Sequence, residues 1–345
     1  MKLLIGGSPC THWSIAQTKN RETKPSGIGW ELFLNYRIAR DKYQPDYFLY
    51  ENNKSMSAAI REKITEELGV EPVLINSALV SAQSRQRLYW VGKRNPDGTY
   101  SRVKVEQPED RGILLRDILE TGGANGSAPL MRIQEATKKG YVDIHPGECV
   151  DLAIPNSRTR RGRAMKDKSH CLMTSCDFYE YCGTLGSPLY PIYGGASDFY
   201  TFCSGRINVK GKIFPVKLRN DRDIIRKLTV TECKRLQTVP DTYAFPVSDT
   251  QAYKMLGNGW TVDVIDHIMS HFTGLTEGPV EVLSMYDGMS CGHIALDKLG
   301  AEITVYYATE IDKYAIQTTQ HNYPKTVQLG NAFQVRDEDW RLESL

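Results

Sequence analysis

The eight cysteines, at 10, 149, 171, 176, 182, 203, 233 and 291, contain no Cys-x-x-Cys pair. That removes the common paired-thiol zinc and redox motifs, and a chain of 345 residues can build a core without disulfide staples. Reduced thiols and a cytoplasmic setting are expected. Zinc through Cys171, Cys176 and Cys182 would need spacings that fit no common site, so no metal is expected. No apolar run approaches the roughly eighteen residues of a membrane span. Charged and turn-forming residues follow the opening strand too soon for a signal peptide. A net charge of +2 is too slight to name a nucleic-acid partner, so local clustering must carry that argument. The glycine turn near residue 288 is not a full G-x-G-x-x-G, which argues against a dinucleotide oxidoreductase.

What is present begins with a short apolar run at residues 2–5, which reads as a buried β-strand. Gly6-Gly7 breaks it, through backbone angles closed to other residues, and Pro9 stiffens the step to Cys10. In open α/β sheets ligands bind at this C-terminal edge, so Cys10 is a candidate nucleophile. A free cysteine serves equally well as a small buried hydrophobe. Residues 15–29 are polar with glycine and proline, and are expected to form a mobile loop able to close over a substrate. A helix over 30–43 and a strand over 46–50 lead to Glu51-Asn52-Asn53, which places an acid on the same edge as Cys10. After a helix at 55–68 and a strand at 71–79 comes Gln83-Ser84-Arg85-Gln86-Arg87, entering an aromatic strand at 88–92. Arginines two apart on a strand share a side and form a fork for a carboxylate, a phosphate or a base edge.

From 95 to 223 regular alternation gives way to glycine, serine, tyrosine and basic residues. Arg158, Arg160, Arg161, Arg163, Lys166 and Lys168 put six cations within eleven residues, a pattern suited to phosphate contact. Such a run is more often a solvated face. Regular structure resumes near 226, with Thr231 as an expected helix N-cap, and Gly257-Asn258-Gly259-Trp260 opens a helix over 261–272. His267 and His271 read as an ordinary pair on that helix face. Residues 273–279 look like a linker. A Rossmann-type unit follows: a strand at 280–286, the turn Asp287-Gly288-Met289-Ser290-Cys291-Gly292, a helix at 293–299, and a strand at 303–309 ending on Glu310. An acid there is placed for ribose hydroxyls. Such a unit normally opens a domain, yet here it comes last. Joining the end of the chain to its beginning gives an unbroken series, so the chain reads as circularly permuted.

In permuted order the chain resembles the DNA cytosine-5 methyltransferases, most like their de novo branch. The resemblance implies an α/β, Rossmann-like S-adenosylmethionine-dependent methyltransferase fold, circularly permuted, with a smaller irregular target recognition domain. The expected parts are 1–94 (catalytic), 95–223 (recognition), 224–272 (return segment), 273–279 (linker) and 280–345 (cofactor-binding). Gly6–Cys10 looks like the catalytic loop, with Cys10 adding to cytosine C6. Glu51 resembles the acid that holds the base, and Arg85 and Arg87 the arginines that support base and acid. Tyr286, Asp287, Gly288, Met289, Gly292, Glu310, Ile311, Asn331 and Ala332, with Pro9, Asn258 and Trp260, are the implied contacts to S-adenosyl-L-methionine. Ser14 joins the six basic residues as an implied DNA contact. Two positions depart from the family: Asn331 stands where aspartate is usual, and Asn53 where valine is. The amide oxygen of Asn331 can still accept a bond from an adenine amino group. Expected partners are double-stranded DNA and a cognate restriction endonuclease, with a monomeric prokaryotic or phage protein that touches no membrane. The rivals are a tRNA methyltransferase of the same chemistry and a non-catalytic DNA-binding protein of the same fold.

Overall fold

The computed structural model describes residues 1–15, 20–120, 131–152, 157, 159–174, 178–184, 199–201, 206–209, 212–215 and 223–342. In chain order the first part is β1 (Lys2–Gly6), α1 (Ile28–Tyr43), β2 (Tyr47–Asn53), α2 (Ala58–Leu68), β3 (Val73–Asn76), β4 (Gln86–Arg94) and β5 (Tyr100–Arg102). The middle part holds α3 (Leu115–Ile118), β6 (Met131–Gln134), β7 (Tyr141–Ile144), β8 (Cys149–Asp151), β9 (Ala164–Met165), β10 (Phe178–Thr184), β11 (Phe199–Thr201), β12 (Arg206–Val209), β13 (Lys212–Pro215) and β14 (Asp223–Lys227). The return consists of α4 (Val230–Leu236), α5 (Asp249–Asn258) and α6 (Val262–Met269). Last come β15 (Val280–Met285), α7 (Cys291–Leu299), β16 (Ile303–Thr309), α8 (Lys313–Asn322) and β17 (Val327–Gly330).

One sheet of eight strands organises the molecule, in the order β17-β16-β15-β1-β2-β4-β3 with β5 beside β4. The five strands from β17 to β2 run parallel, and β4 is antiparallel to its neighbours. β1 is central, so helices cover both its faces and its residues are apolar without alternation. Leu3 and Ile5 enter the core beneath α4, α5, α6 and α7, while Leu4 enters the core beneath α1 and α2. The chain reverses direction across the sheet between β15 and β1, and the crevice at such a switch point is where open α/β sheets take ligands. No helix among the described residues is long and apolar enough to cross a membrane.

Several local expectations need correction. Gly6 and Gly7 are not in the left-handed region. They are required by close approach, since a Cβ on Gly6 would stand 2.6 Å from the Met285 carbonyl oxygen and one on Gly7 2.9 Å from that of Glu51. Thr229, not Thr231, caps α4: its hydroxyl accepts the Glu232 N–H at 3.1 Å while the Glu232 carboxylate accepts the Thr229 N–H at 2.8 Å. Gly257-Asn258-Gly259 closes α5 rather than opening α6. The 273–279 stretch is a run of turns pinned by the buried Leu275. The irregular module also begins later than 95, because β5 pairs with β4 and Val105, Leu115, Ile118 and Leu119 pack in the main core. Its own small core gathers Met131, Ile133, Ile144, Val150, Leu152, Tyr179, Tyr181 and Ile225.

Candidate active site

Cys10 starts a short 3-10 turn just past β1. A buried polar brace fixes that turn from below. The hydroxyls of Ser8 and Tyr50 share a 2.6 Å hydrogen bond, and the Asn52 amide donates to the Ser8 carbonyl at 3.1 Å and to the Tyr50 hydroxyl at 3.2 Å. Beyond Cys10, buried Trp13 donates to Glu22 at 3.1 Å, and Arg21 reaches the carbonyls of Trp13 and Ser55. The loop expected to be mobile is thus held at Arg21 and Glu22, and residues 16–19 lie outside the described residues. Ser14 stays on the turn, its N–H donating to the Cys10 carbonyl at 3.0 Å.

Glu51, near the end of β2, lies against Gly7. Its two carboxylate oxygens are clamped from different parts of the chain. Arg87 Nε approaches one at 3.0 Å and Trp260 Nε1 donates to the other at 3.0 Å. Trp260, expected at the cofactor, thus belongs to the setting of the acid. Arg85 does not touch Glu51. It donates to the carbonyls of Gly257 (3.2 Å) and Gly259 (2.9 Å), which fixes the backbone leading into Trp260, and to that of Leu172 (3.2 Å). The two arginines share a side as expected but hold different partners. Burial pushes the Cys10 thiol above its ordinary value, the Arg87 charge pulls it back, and the Glu51 charge adds to the rise. Cys10 therefore rests protonated at neutral pH.

The cofactor-side residues lie at the ends of β15, β16 and β17. Gly288 has φ 59° with open space where a side chain would be. Its N–H donates to Glu310 at 2.9 Å, and the other Glu310 oxygen accepts the Ile311 and Asp312 N–H groups. A carboxylate offers about four lone pairs, so Glu310 can still accept from a hydroxyl. Ile311 is 73% exposed, an apolar side chain standing beside that acid. Asn331 uses its amide oxygen to cap the following 3-10 turn at Phe333, which leaves that oxygen's second lone pair for a ligand. These residues fit a ribose-bearing ligand with an aromatic base.

Other residues expected at the cofactor also have packing or hydrogen-bonding partners within the protein. Asp287 directs its carboxylate to the hydroxyls of Ser290 and Tyr306, and burial pushes it up to about 6. Met289 and Ala332 are core residues, 1% and 4% exposed. A Cβ on Gly292 would stand 2.2 Å from Ile5 Cδ1, so this glycine seats α7 on β1. Tyr286 anchors its hydroxyl on the Leu32 carbonyl at 2.6 Å. Pro9 and Asn258 are exposed. Gly257 approaches the recognition segment rather than a ligand, since a Cβ there would meet the Met173 carbonyl carbon at 2.5 Å.

The basic run divides in the same way. Arg163 is fully buried, and Lys168, partly exposed, spends its ammonium on the carbonyls of Ala78, Ser81 and Ile113. Arg160 pairs with Asp151. Arg161 and Lys166 are exposed, and Arg158 lies outside the described residues. The His267 and His271 rings pack edge to face, each bonded to a backbone carbonyl. Of the residues weighed for zinc, Cys171 sits between Arg85 and Arg87, while Cys176 and the Cys182 side chain lie outside the described residues.

A family model of C-5 cytosine-specific DNA methylases matches residues 1–273. The Type II methyltransferase M.HpaII of Haemophilus parainfluenzae is 25% identical over 278 residues, covering 76% of this chain and 69% of the relative. M.FnuDI of Fusobacterium nucleatum is 26% identical over 278 residues, covering 76% and 73%. A solved Entamoeba histolytica methyltransferase covers 78% of this chain, with 76% of its own length matched, at 16% identity and a TM-score of 0.42.

Proposed function

This chain belongs to the C-5 cytosine-specific DNA methylase family, and we propose that Cys10, Glu51, Arg87 and Trp260 form the reaction centre through which it methylates DNA. The enzyme transfers a methyl group from S-adenosylmethionine to C5 of cytosine. The observation that carries the assignment of residues is the clamped Glu51 carboxylate, held by Arg87 and Trp260 beside the Cys10 turn.

Cytosine C5 is a weak nucleophile. Addition of the Cys10 sulfur to C6 breaks the C5–C6 double bond and makes C5 electron-rich, at the cost of charge building on the N3 side of the ring. Glu51 is placed to meet that charge through a hydrogen bond or a proton, and Arg87 and Trp260 keep its carboxylate in one orientation. S-adenosylmethionine, when bound, supplies an electrophilic methyl group. Gly288, Glu310, Ile311 and Asn331 would hold it at the crevice between β15 and β1. Loss of the C5 proton then expels the Cys10 sulfur and restores the ring. Because Cys10 rests as a thiol, its proton must leave as the sulfur attacks, and the Arg87 charge eases that loss. A base stacked in a duplex cannot reach such a site, so the target cytosine must be flipped out.

The strand order supports reading the chain as a circular permutation. The cofactor half, β15 to β17, lies directly beside β1, and the Met1 ammonium donates to the Pro279 carbonyl at 2.8 Å. The matched family model stops at 273, just before that half. The likeness to the de novo branch rests on the sequence blocks alone. Residues 131–227, with Arg161 and Lys166 exposed, are the proposed recognition module, and a cognate endonuclease is the proposed partner. The test is to incubate the protein with S-adenosylmethionine and duplex DNA or tRNA, then quantify 5-methylcytosine by mass spectrometry. Product in DNA that is lost in Cys10→Ala supports the assignment. Product retained by Cys10→Ala overturns it, and product only in tRNA moves the substrate.

A further inference from the structure

We propose that Cys171, carried in from the recognition module, is a positioning residue for methyl transfer: its sulfur is the shared anchor that keeps Arg85 and Arg87 in place. The inference rests on Cys10 and Glu51 being the reacting pair. Arg85 Nη1 approaches the Cys171 sulfur at 3.3 Å and Arg87 Nη2 approaches it at 3.7 Å. Arg87 then reaches Glu51 with its Nε, and Arg85 reaches the 257 and 259 carbonyls with its Nη2. One sulfur thus sits behind both arms of the site, the acid on one side and the Trp260 backbone on the other.

The need for an anchor is electrostatic. Two guanidinium groups stay charged at any ordinary pH and repel each other at short range. Glu51 neutralises only one of them. Burial pushes the Cys171 thiol up, but Arg85 and Arg87 together outweigh it and hold the group below its ordinary value. The two arginines thus favour ionisation of this sulfur, and negative charge on it would offset the guanidinium that Glu51 leaves unpaired. Cys10 feels the same groups, since Arg87 and Arg85 lower its pKa while Glu51 and Cys171 raise it. Cys171 therefore discourages Cys10 from ionising before a substrate arrives.

The segment bearing Cys171 is built into the catalytic part. Ser169 N–H donates to Ala82 and Ser84 N–H to Ser169, while Leu172 N–H donates to the Gln83 side chain at 2.7 Å. Gln83 in turn donates to the Leu236 carbonyl and the Gln237 side chain.

The test alkylates the intact protein with iodoacetamide across a pH series and quantifies the peptides bearing residues 10 and 171 separately by mass spectrometry. In the wild type, Cys171 should label with a midpoint below that of Cys10, a reading that needs no variant. In Cys171→Ser the Cys10 midpoint should fall by about one pH unit, and Cys171→Asp should restore it by returning the anion. Turnover should follow, with kcat about tenfold lower in Cys171→Ser, the KM for DNA unchanged, and partial recovery in Cys171→Asp. An unmoved Cys10 midpoint in Cys171→Ser, equal behaviour of the Ser and Asp variants, or a Cys171 midpoint above that of Cys10 would overturn the inference. Loss of the underlying assignment is separable, because it appears as turnover retained by Cys10→Ala whatever the labelling curves show.

Discussion

The two halves of the sheet edge are built on opposite plans. Around Cys10 several groups are held by residues far away in sequence: Glu51 by Trp260, Arg85 by Gly259, Ser8 by Tyr50. Along β15, β16 and β17 the polar groups are held close to home, Glu310 by Gly288, Ile311 and Asp312, and Asn331 by Phe333. The proposed reaction centre is thus assembled from segments that meet only when the chain folds. The proposed cofactor rim is made of local turns at the ends of these strands. A preorganised electrostatic site needs the first plan, because its groups must not relax when charge develops. A rim that grips a separate small molecule can use the second.

Substitutions should separate the plans by what they change. Cys10→Ser should lower methyl transfer by at least about a thousandfold while leaving S-adenosylmethionine binding intact, as read by labelled-methyl incorporation and calorimetry. Glu51→Gln should lower kcat by about a hundredfold with little change in the KM for the cofactor. Across the divide, Glu310→Ala should weaken cofactor binding by about tenfold and leave kcat at saturation nearly unchanged. A fall in kcat as large as that of Glu51→Gln would erase the distinction between the halves.

The smallest effect concerns stability. Asp287 has its carboxyl held up to about 6 from an ordinary 3.8. The folded chain keeps that proton where the unfolded chain has lost it, so this group makes stability fall as pH rises between 3.8 and about 6, and level off above. Asp287→Asn should flatten that window in a melting series. An unchanged slope would mean that the hydroxyls of Ser290 and Tyr306 offset the burial.

Legibility in the sequence follows the same division. The Glu310 turn and the Asn331 position could be read because their partners lie within a few residues or one strand away. Cys10 and Glu51 could be read as strand-end residues, and the strands beneath them as apolar runs. The Ser8–Tyr50–Asn52 brace could not, nor could the Trp260 bond to Glu51 across 209 positions, because nothing local marks such pairs. Asn52, placed between an acid and a second asparagine, was the available signal for a buried amide. Arg163 misleads for a related reason. A basic run looks solvated until it is known which strands fold over it, and this arginine ends fully buried among β-strands of the module. Cys171 drew attention only as a weak zinc ligand, since its arginine partners sit more than eighty positions away.

The parallel pairing of β1 with β15, five residues in register, also joins two stretches that the chain connects only through residues 273–279. Residues 1–272 carry the nucleophile and the acid, residues 280–345 carry the cofactor rim, and the exposed Thr276-Glu277 lies between them. Opened at that point, the first polypeptide would keep the whole proposed reaction centre and the second the proposed cofactor rim, so methylation of DNA would require the two to meet.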